Sequence, residues 1–489
     1  MLLVLLSVGV LGAPPAPEGW WPPKTVALSD MGLDEAAVSR LAAATVSLGI
    51  GRSGTLISRD GLVLSSATAV AGCVDRLRRE GALSDRPFVS DPVRRGPECT
   101  ELEAEIRVDV REVGPALAAA RTAGAPDPEA AMLSACREAS PDRRCQLVAH
   151  GAETQLIARR SLGPPRLVFW PGRAAAELGG DAVDWRLPRL RLDAAILWVP
   201  VGPSGSPAEL RIARDPPELN EAVVWAHHPG QSLREASTLE AEIFTEEILP
   251  TLARRSPPES DLRALAAHAP ELLRIHRRHE LRALASARSR GGAHAIAFAR
   301  GRGAFRALPW SEWVRADPSS SGAWSGALGL SEAEVPPLDP EAEAYEDARP
   351  ERRAALGESP EGAGDLRLSR GRVVVATREE NWRLPWSRFL RTADLLGETL
   401  SIPRPPPWRT ELALGFEIEG DAGPFVTGGP VLTESGGLVG IMGRGDLRQL
   451  GGYYGYAPGT RVAVTSVHAL ELYLLRVVKA KKLALELRY

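Results

Sequence analysis

Lysine is nearly missing from this chain: only positions 24, 479, 481 and 482 of the 489 residues are lysine. Arginine therefore carries almost all of the positive charge, and the formal net charge is −3 at pH 7. A nearly balanced charge gives no reason to expect nucleic acid or an anionic membrane as a partner. We predict no nucleic-acid partner.

Long hydrophobic runs are also missing, because no segment has 18 consecutive apolar residues. The first 13 residues, "MLLVLLSVGVLGA", are apolar but too short to span a bilayer, and they end in small residues. This pattern is typical of a signal peptide with cleavage near Gly12 or Ala13. We predict that residues 1–13 are a signal peptide and that the mature protein is exported, periplasmic or secreted, without a membrane anchor.

Cysteine is scarce, with only Cys73, Cys99, Cys136 and Cys145. No Cys-x2-Cys pair and no nearby histidine at ligand spacing accompanies them, so we predict neither a metal site nor a cofactor. Four cysteines suit disulfides in an oxidising compartment, and they allow three pairings. We predict the nearest-neighbour pairing, Cys73–Cys99 and Cys136–Cys145, although the other two remain open.

The length and the hydrophobic pattern indicate two β-rich parts separated by a helical part. A chain of 489 residues exceeds one ordinary hydrophobic core. Strand patterns occur in "GRSGTLISRDGLVLSSATAV", around a turn at residues 59–61, in residues 101–113, and in "PRLVFWPG", "DAAILWVPV" and "EAVVWAHHPG". Helical patterns occur in "GLDEAAVSRLAAATVSL", where Asp34 is placed to cap the helix, and in an Ala/Arg-rich insertion over residues 114–162.

The second half begins with helices and returns to strands. Residues 233–300 have apolar residues at helical spacing, residues 316–370 resemble a linker, and residues 381–400 are again helical. Strand patterns then occur in "TELALGFEIEG", "GGPVLTESGGLVGIMG" and "GTRVAVTSV", before a helix in "HALELYLLRVVKAKKLALEL". We therefore divide the chain into 19–232, mainly a first β-barrel, 233–400, a helical cap and linker, and 401–489, which completes a second β-barrel.

One short stretch carries a chemical signal. In "GPFVTGGPVL", Thr427 precedes Gly428-Gly429-Pro430, where chymotrypsin-type enzymes have the nucleophilic serine. Ser435, in "TESGG", also precedes two glycines, but it follows the "GGPVL" strand and is predicted to lie in the next hairpin turn.

Four ordered stretches extend this signal: "GWWPP", "GRSGTLISRDGLVLSSATAV", "LGGDAVDWRLPRLRLDAAILWV" and "GPFVTGGPVLTESGGLVGIMG". Together they make the chain similar to the serine-type dipeptidyl-peptidases of family 46, which are exported bacterial enzymes. The resemblance implies a mainly β fold, with a chymotrypsin-like double β-barrel, an inserted α-helical domain that is shortened here, and a C-terminal helix. It also implies that a homodimer can form.

The catalytic triad of that family is incomplete in this chain. By the resemblance, the histidine falls on Thr68, the aspartate on Asp193, which is retained, and the serine on Thr427. A threonine hydroxyl is far too weakly basic to take a proton near neutral pH, so Thr68 cannot serve as the general base. Of the eight histidines, His227 and His228 are the only plausible substitutes.

The resemblance also assigns the pocket that holds the substrate's free amino group to Asp184, Trp185 and Arg444. The cationic Arg444 stands in place of a carboxylate, so it would repel an ammonium group unless Asp184 pairs with it. Backbone N–H groups at Phe425 and Thr427 are candidates for an oxyanion-hole-like site, although bulky neighbours are expected to distort it.

These residues predict an exported pseudoenzyme related to dipeptidyl-peptidases that binds a peptide or a protein. Two alternatives remain open. One is an active hydrolase that uses Thr427 or a histidine from elsewhere, and the other is a scaffold that binds nothing in the cleft.

Overall fold

The computed structural model describes residues 33–140, 142–150, 153–176, 191–201, 208–230, 241–255, 263–274, 366–375, 415–420, 423, 426–454 and 459–487, except positions 243, 264 and 271. The predicted signal peptide, the helix predicted over residues 381–400 and most of the predicted linker lie outside these ranges.

Strands dominate the described residues. They are β1 (Thr45–Ser47), β2 (Ser53–Leu56), β3 (Leu62–Ser65), β4 (Phe88–Val89), β5 (Ala104–Glu112), β6 (Arg143–His150), β7 (Glu153–Gly163), β8 (Arg166–Trp170), β9 (Ala195–Trp198), β10 (Ala222–His227), β11 (Arg367–Val375), β12 (Gly415–Gly420), β13 (Pro430–Thr433), β14 (Leu438–Gly445) and β15 (Thr460–Ser466).

Helices lie around these strands. They are α1 (Glu35–Ala44), α2 (Ala71–Arg79), α3 (Gly114–Thr122), α4 (Pro128–Glu138), α5 (Arg173–Ala176), α6 (Leu249–Arg255), α7 (Leu447–Gly451), α8 (Val467–Tyr473) and α9 (Lys481–Glu486), with π-helical segments at Phe244–Ile248 and Leu474–Val478. Residues 265–270 and 272–274 are also helical, as predicted for this part of the chain.

The strands form two units. The first is a nine-stranded sheet in the order β4-β8-β9-β3-β2-β1-β5-β7-β6, and the second is a closed six-stranded barrel in the order β10-β11-β12-β15-β14-β13. The larger buried cluster covers the sheet and also includes barrel residues such as Val224, Leu368 and Ile441, so it spans the contact between the two units. A second cluster fills the interior of the barrel. The predicted mainly β fold with helical additions is confirmed, and the second barrel is closed.

The barrel takes its strands from distant parts of the chain. β10 precedes the predicted cap but lies between β11 and β13, with which it forms antiparallel ladders. β11 lies inside the range 233–400 that we had assigned to cap and linker. That range therefore also contributes a barrel strand, and the last strand of the range 19–232 belongs to the second unit.

The local predictions near the N-terminus are confirmed. Asp34 caps α1, because its Oδ1 accepts a hydrogen bond from the backbone N–H of Ala37 at 2.6 Å. The helix ends at Ala44, earlier than predicted, and the β-branched Thr45 and Val46 that follow lie in β1. β2 and β3 pair as the predicted hairpin.

The prediction of a helical insertion over residues 114–162 is only partly correct. α3 and α4 are helical, but β6 and β7 form a long antiparallel pair at the edge of the sheet. In β6, Cys145 and Leu147 lie on either side of Gln146, on one face of the strand, and pack under α4. The Ala- and Arg-rich composition had suggested a helix.

The C-terminal helix predicted as one element is divided. α8 continues as the π-helical segment Leu474–Val478 and stops at Lys479, which has φ 62°. A residue in the left-handed region ends the helical hydrogen bonding, so α9 starts as a separate short helix.

Both disulfides have the predicted pairing. Cys73–Cys99 joins α2 to the segment before β5, and Cys136–Cys145 joins α4 to β6. Among the described helices, none is long and apolar enough to cross a membrane.

Candidate functional site

Thr427 lies where the two β units meet. It directly precedes Gly428, which has φ 81°, and a Cβ atom at Gly428 would lie 2.1 Å from the carbonyl oxygen of Ser53. A Cβ at Gly429 would lie 2.1 Å from the carbonyl oxygen of Ala226. Only glycines let the chain pass between the sheet and the barrel here, so this pair fixes the position of Thr427.

Both backbone polar groups of Thr427 are used by the segment before β2. Its N–H donates to the carbonyl oxygen of Gly51 at 3.0 Å, and its carbonyl accepts from the N–H of Ser53 at 2.9 Å. An oxyanion hole needs N–H groups that point at an empty position. The N–H of Thr427, one of the two candidates for such a site, is therefore occupied in this structure, while Phe425 lies outside the described residues.

The side chain of Thr427 is buried and hydrogen-bonded to two oxygens. Its Oγ1 lies 2.7 Å from Ser66 Oγ and 3.3 Å from the carbonyl oxygen of Met442. Ser66 Oγ also accepts the N–H of Ala69 at 2.9 Å. Both hydroxyl protons find an acceptor when Ser66 donates to Thr427 and Thr427 donates to Met442, as buried polar groups require. The proton of Thr427 then points to an amide carbonyl, which is not a base.

Thr68 and Asp193 are in direct contact, as the resemblance implies for the histidine and aspartate positions. Thr68 Oγ1 lies 3.0 Å and 2.9 Å from the two carboxylate oxygens of Asp193, and the Thr68 N–H donates to Oδ1 at 2.8 Å. The threonine therefore makes the hydrogen bond to the carboxylate that an imidazole makes in a triad.

Arg191 completes this group. Its Nη2 donates to Thr68 Oγ1 at 2.6 Å and to Asp193 Oδ2 at 3.0 Å. The side chains of Arg191 and Asp193 are 10% and 3% exposed, so this is a buried ion pair. A guanidinium stays protonated in proteins, so it supplies a fixed positive charge but no proton acceptor.

Asp193 also faces the barrel. Its backbone N–H donates to Thr465 Oγ1 at 3.2 Å, and a Cβ at Gly443 would lie 3.2 Å from its Oδ2. The carboxylate is thus enclosed between the sheet that carries Thr68 and the barrel strands β14 and β15. The side chains of Thr68, Arg191 and Asp193 contact one another, and the backbone N–H of Asp193 links this group to the barrel.

The two candidate substitute histidines are buried next to this region. His227 ends β10 and is fully buried, and His228 Nδ1 lies 3.3 Å from Ser53 Oγ. Among the described residues, the hydroxyl of Thr427 has Ser66 and Met442 as its hydrogen-bond partners, and neither histidine is hydrogen-bonded to it.

The predicted amino-group pocket is only partly described. Asp184 and Trp185 lie outside the described residues. Arg444 lies in β14 with a partly buried side chain. The pairing of Asp184 with Arg444 therefore stays a prediction. Ser435 lies in the turn between β13 and β14, as predicted.

Sequence reasoning identified Thr68, Asp193 and Thr427 but missed Ser66 and Arg191. Arg191 stands two residues before Asp193, a spacing that places both side chains on one side of an extended chain. That spacing was the available signal. Among the described residues, no group of three or more His, Cys, Asp or Glu side chains could hold a metal ion.

The comparisons with known proteins agree with this architecture. The fold places a nine-stranded sheet against a closed six-stranded barrel. The family model of Peptidase S46 matches residues 16–303, which is more than half of the chain, and the chain therefore belongs to this family. A search of curated proteins found no significant match.

Solved structures show the same fold. DPP11 from Porphyromonas endodontalis in complex with the dipeptide Arg-Asp is similar with a TM-score of 0.67 and 14% identity, over 96% of this chain and 99% of that one. The complex of DPP11 with Arg-Glu has a TM-score of 0.66 and 14% identity with the same coverage. DPP11 in an alternate conformation has a TM-score of 0.58.

Proposed function

We propose that this member of Peptidase S46 has no serine-peptidase turnover and that it binds a peptide or a protein segment in the former catalytic cleft. The observation that carries this proposal is the group Thr68–Arg191–Asp193, in which two side chains without a basic atom stand beside the triad aspartate. Without a general base, neither a serine nor a threonine hydroxyl becomes a nucleophile near neutral pH.

The expected loss of activity is large. In a coupled triad, removing one member costs about as much as removing most of it, on the order of 10⁶-fold in kcat. The occupied N–H of Thr427 adds to this loss, because it removes one donor that would stabilise a developing oxyanion.

We propose further that the protein is exported. The apolar segment at residues 1–13 supports this, and so do the two disulfides, which are typical of oxidising compartments. Cys73 and Cys99 are both fully buried in the main hydrophobic core, where their disulfide cross-links two segments of the first unit.

A second candidate function, an altered hydrolase, has one observation in its favour. Ser53 and His228 form a serine–histidine pair at 3.3 Å, and the backbone N–H of Ser53 donates to the carbonyl of Thr427. However, Ser53 is fully buried and His228 is 4% exposed. A substrate cannot reach this pair without movement of β2, so we place the hydrolase second.

The first experiment is hydrolysis of fluorogenic dipeptide substrates by the mature protein, with Arg-Asp and Arg-Glu among them because similar structures contain these dipeptides. We expect the wild type, Thr427→Ala and His228→Gln to give the same background rate. If the wild type hydrolyses a substrate and one of the substitutions abolishes this activity, the proposal of a pseudoenzyme is wrong. The substituted residue is then part of the altered catalytic site.

Binding is tested separately by calorimetry with the free dipeptides and with longer peptides. We expect Arg444→Asp to change the affinity, because Arg444 is the predicted cleft residue in β14, whereas Arg372→Asp on the exposed side of β11 serves as the matched control. If no peptide binds, or if both variants bind like the wild type, the scaffold alternative replaces the binding module.

A further inference from the structure

Arginines stand opposite one another on the last three strands of the sheet. On one rung of the ladder, Arg143 of β6 lies opposite Arg160 of β7. On the next rung, Arg144 lies opposite Arg159, which in turn lies opposite Arg107 of β5. Cβ atoms of directly opposed residues are about 5 Å apart, and like charges in this arrangement are destabilising.

The second of these rungs is compensated by neighbouring groups. Arg144 Nη1 lies 3.0 Å from Glu105 Oε1, and Arg144 also pairs with Glu103. Arg159 Nη1 donates to Gln146 Oε1 at 3.1 Å. Arg144 and Arg159 on this rung therefore have polar partners within the protein.

The rung of Arg143 and Arg160 has no such compensation. Within the described part of the chain, no carboxylate lies within 4.0 Å of either guanidinium, and the carboxylate of the adjacent Asp142 accepts instead from the hydroxyl of Ser140. The Nε atom of Arg160 is shielded from solvent and has no hydrogen-bond partner among the residues that the structure describes. A buried donor without a partner is costly, and a cation beside a second cation adds to that cost.

Protection of a sheet edge does not explain both residues. Charged side chains on an edge strand prevent pairing with other chains, and this accounts for Arg143, because β6 is the last strand of the sheet. Arg160 lies on β7, which is paired on both sides by β5 and β6. The buried Nε of Arg160, without a hydrogen-bond partner among the described residues, is therefore left available for a ligand.

We propose that Arg143 and Arg160 bind a phosphate group. Two guanidinium groups present planar sets of N–H donors that match the oxygens of a phosphate, and a dianion neutralises both charges at once. The site is separate from Thr427, because β6 is four strand spacings, or about 19 Å, from β2. Free phosphate and the headgroup of a phospholipid offer the same chemistry.

The test is titration of the mature protein with inorganic phosphate at constant ionic strength, with sodium chloride as the replaced salt. We expect saturable binding that weakens at least about tenfold in Arg143→Gln and in Arg160→Gln. The matched control is Arg111→Gln on β5, because Arg111 is paired with Asp109 at 2.9 Å. This control should bind phosphate like the wild type.

Thermal unfolding without phosphate keeps the test independent of a folding defect. Because each substitution removes one of two repelling cations, we expect both variants to unfold at the same or a higher temperature than the wild type. Lower unfolding temperatures would show that the two arginines are structural, and they would overturn the proposal.

Vesicles of phosphatidylglycerol, compared with phosphatidylcholine, separate the two sources of phosphate. Cosedimentation with phosphatidylglycerol that both variants lose would identify a lipid headgroup, whereas phosphate binding without cosedimentation would identify a free phosphate compound. Absence of saturable phosphate binding, or equal binding by the wild type and both variants, would overturn the proposal whatever the vesicles do.

Discussion

Asp193 makes buried contacts that do not depend on catalysis. In a triad, the carboxylate orients an imidazole, but here it accepts hydrogen bonds from Thr68 and pairs with Arg191. A buried charge must be paired to be tolerated, and the guanidinium provides that pairing. Its retention therefore has a structural explanation that does not depend on catalysis.

Removal of Arg191 should destabilise the protein strongly. In Arg191→Met, the buried carboxylate of Asp193 loses its counter-charge, and we expect the free energy of unfolding to fall by about 3 kcal/mol. Urea denaturation measures this change. The second substitution Asp193→Asn, added to Arg191→Met, should recover much of the loss, because no unpaired charge then remains.

The control for this measurement is Arg166→Met, which breaks an ion pair with Glu98 whose side chains are 38% and 43% exposed. Exposed pairs contribute less than about 1 kcal/mol. Equal effects of Arg166→Met and Arg191→Met would show that the Arg191–Asp193 pair has no special role.

Restoring the two lost triad side chains should not restore activity. In the double variant Thr68→His/Thr427→Ser, Arg191 still pairs with Asp193 and the N–H of residue 427 still donates to Gly51. We expect hydrolysis of fluorogenic dipeptides to stay at background. A rate that rises a hundredfold above Thr427→Ala would show that the backbone around residue 427 is already competent.

At the scale of elements, the sequence predicted strands best where the residue composition and the spacing of apolar residues both indicated a strand. The hairpin of β2 and β3 and the strands β8 to β10 are rich in Val, Leu, Ile and Trp, and all were predicted. β6 and β7 were missed because Ala and Arg favour helices, and because the consecutive buried residues 155–158 of β7 do not alternate with exposed ones. Packing of these two segments under α4 favours the strand conformation over the helical one.

The site was predictable only in part for a related reason. Motif order locates Thr68, Asp193 and Thr427, but a motif cannot show which other side chains contact them. Ser66 contacts Thr427 and Arg191 contacts Thr68, and both contacts join residues that are far apart in sequence. Such contacts appear only when the chain is folded.

α7 supports the segment that carries Thr427. Its Gln449 is buried, donates through Nε2 to the carbonyl of Val426 at 3.2 Å, and accepts from the N–H of Gly445. The N-cap of this helix is Asp446, whose carboxylate accepts from the N–H groups of Arg448 and Gln449. The position of Thr427 thus depends on a five-residue helix and its cap.

The charge of Asp446 gives this cap a pH dependence. Burial raises the pKa of Asp446 above its ordinary value, although hydrogen bonds from Gln449 and Arg448 act in the opposite direction. The folded protein therefore holds the proton more tightly than the unfolded chain does. The contribution of Asp446 to stability is largest below the unfolded pKa of about 4, and it is lost as the pH rises through the raised folded pKa.

Asp446→Asn should therefore be at least as stable as the wild type at pH 7, because asparagine also caps helices but carries no buried charge. Any gain should vanish below about pH 4, where the aspartate is protonated. Asp446→Ala, which has no cap, should be about 1 kcal/mol less stable than Asp446→Asn at both pH values. Thermal unfolding at pH 4 and pH 7 distinguishes these variants, and a gain for Asp446→Asn only at pH 4 would contradict the sign.

At the scale of the whole molecule, the two disulfides should not contribute equally. Cys73–Cys99 closes a separation of 26 residues and is fully buried in the main core, whereas Cys136–Cys145 closes a separation of 9 residues beneath α4. A longer loop loses more entropy when the unfolded chain is cross-linked, by about 3–4 kcal/mol against about 2–3 kcal/mol.

We therefore expect the pair Cys73→Ala/Cys99→Ala to unfold at a lower temperature than Cys136→Ala/Cys145→Ala. Scanning calorimetry of both variants under the same oxidising conditions measures the difference. The reverse order would mean that the edge of the sheet, rather than its core, limits the stability of the protein.

Closure of the barrel also sets the order in which the chain can fold. β10 is bordered on both sides by β11 and β13, which are made much later in synthesis. Until those strands are synthesised, both edges of β10 are unpaired, and the nascent chain contains only one of the six barrel strands. A chain cut between residues 300 and 360 should thus yield two fragments that cannot complete the barrel alone but can recognise each other, which makes this architecture a natural split-protein pair.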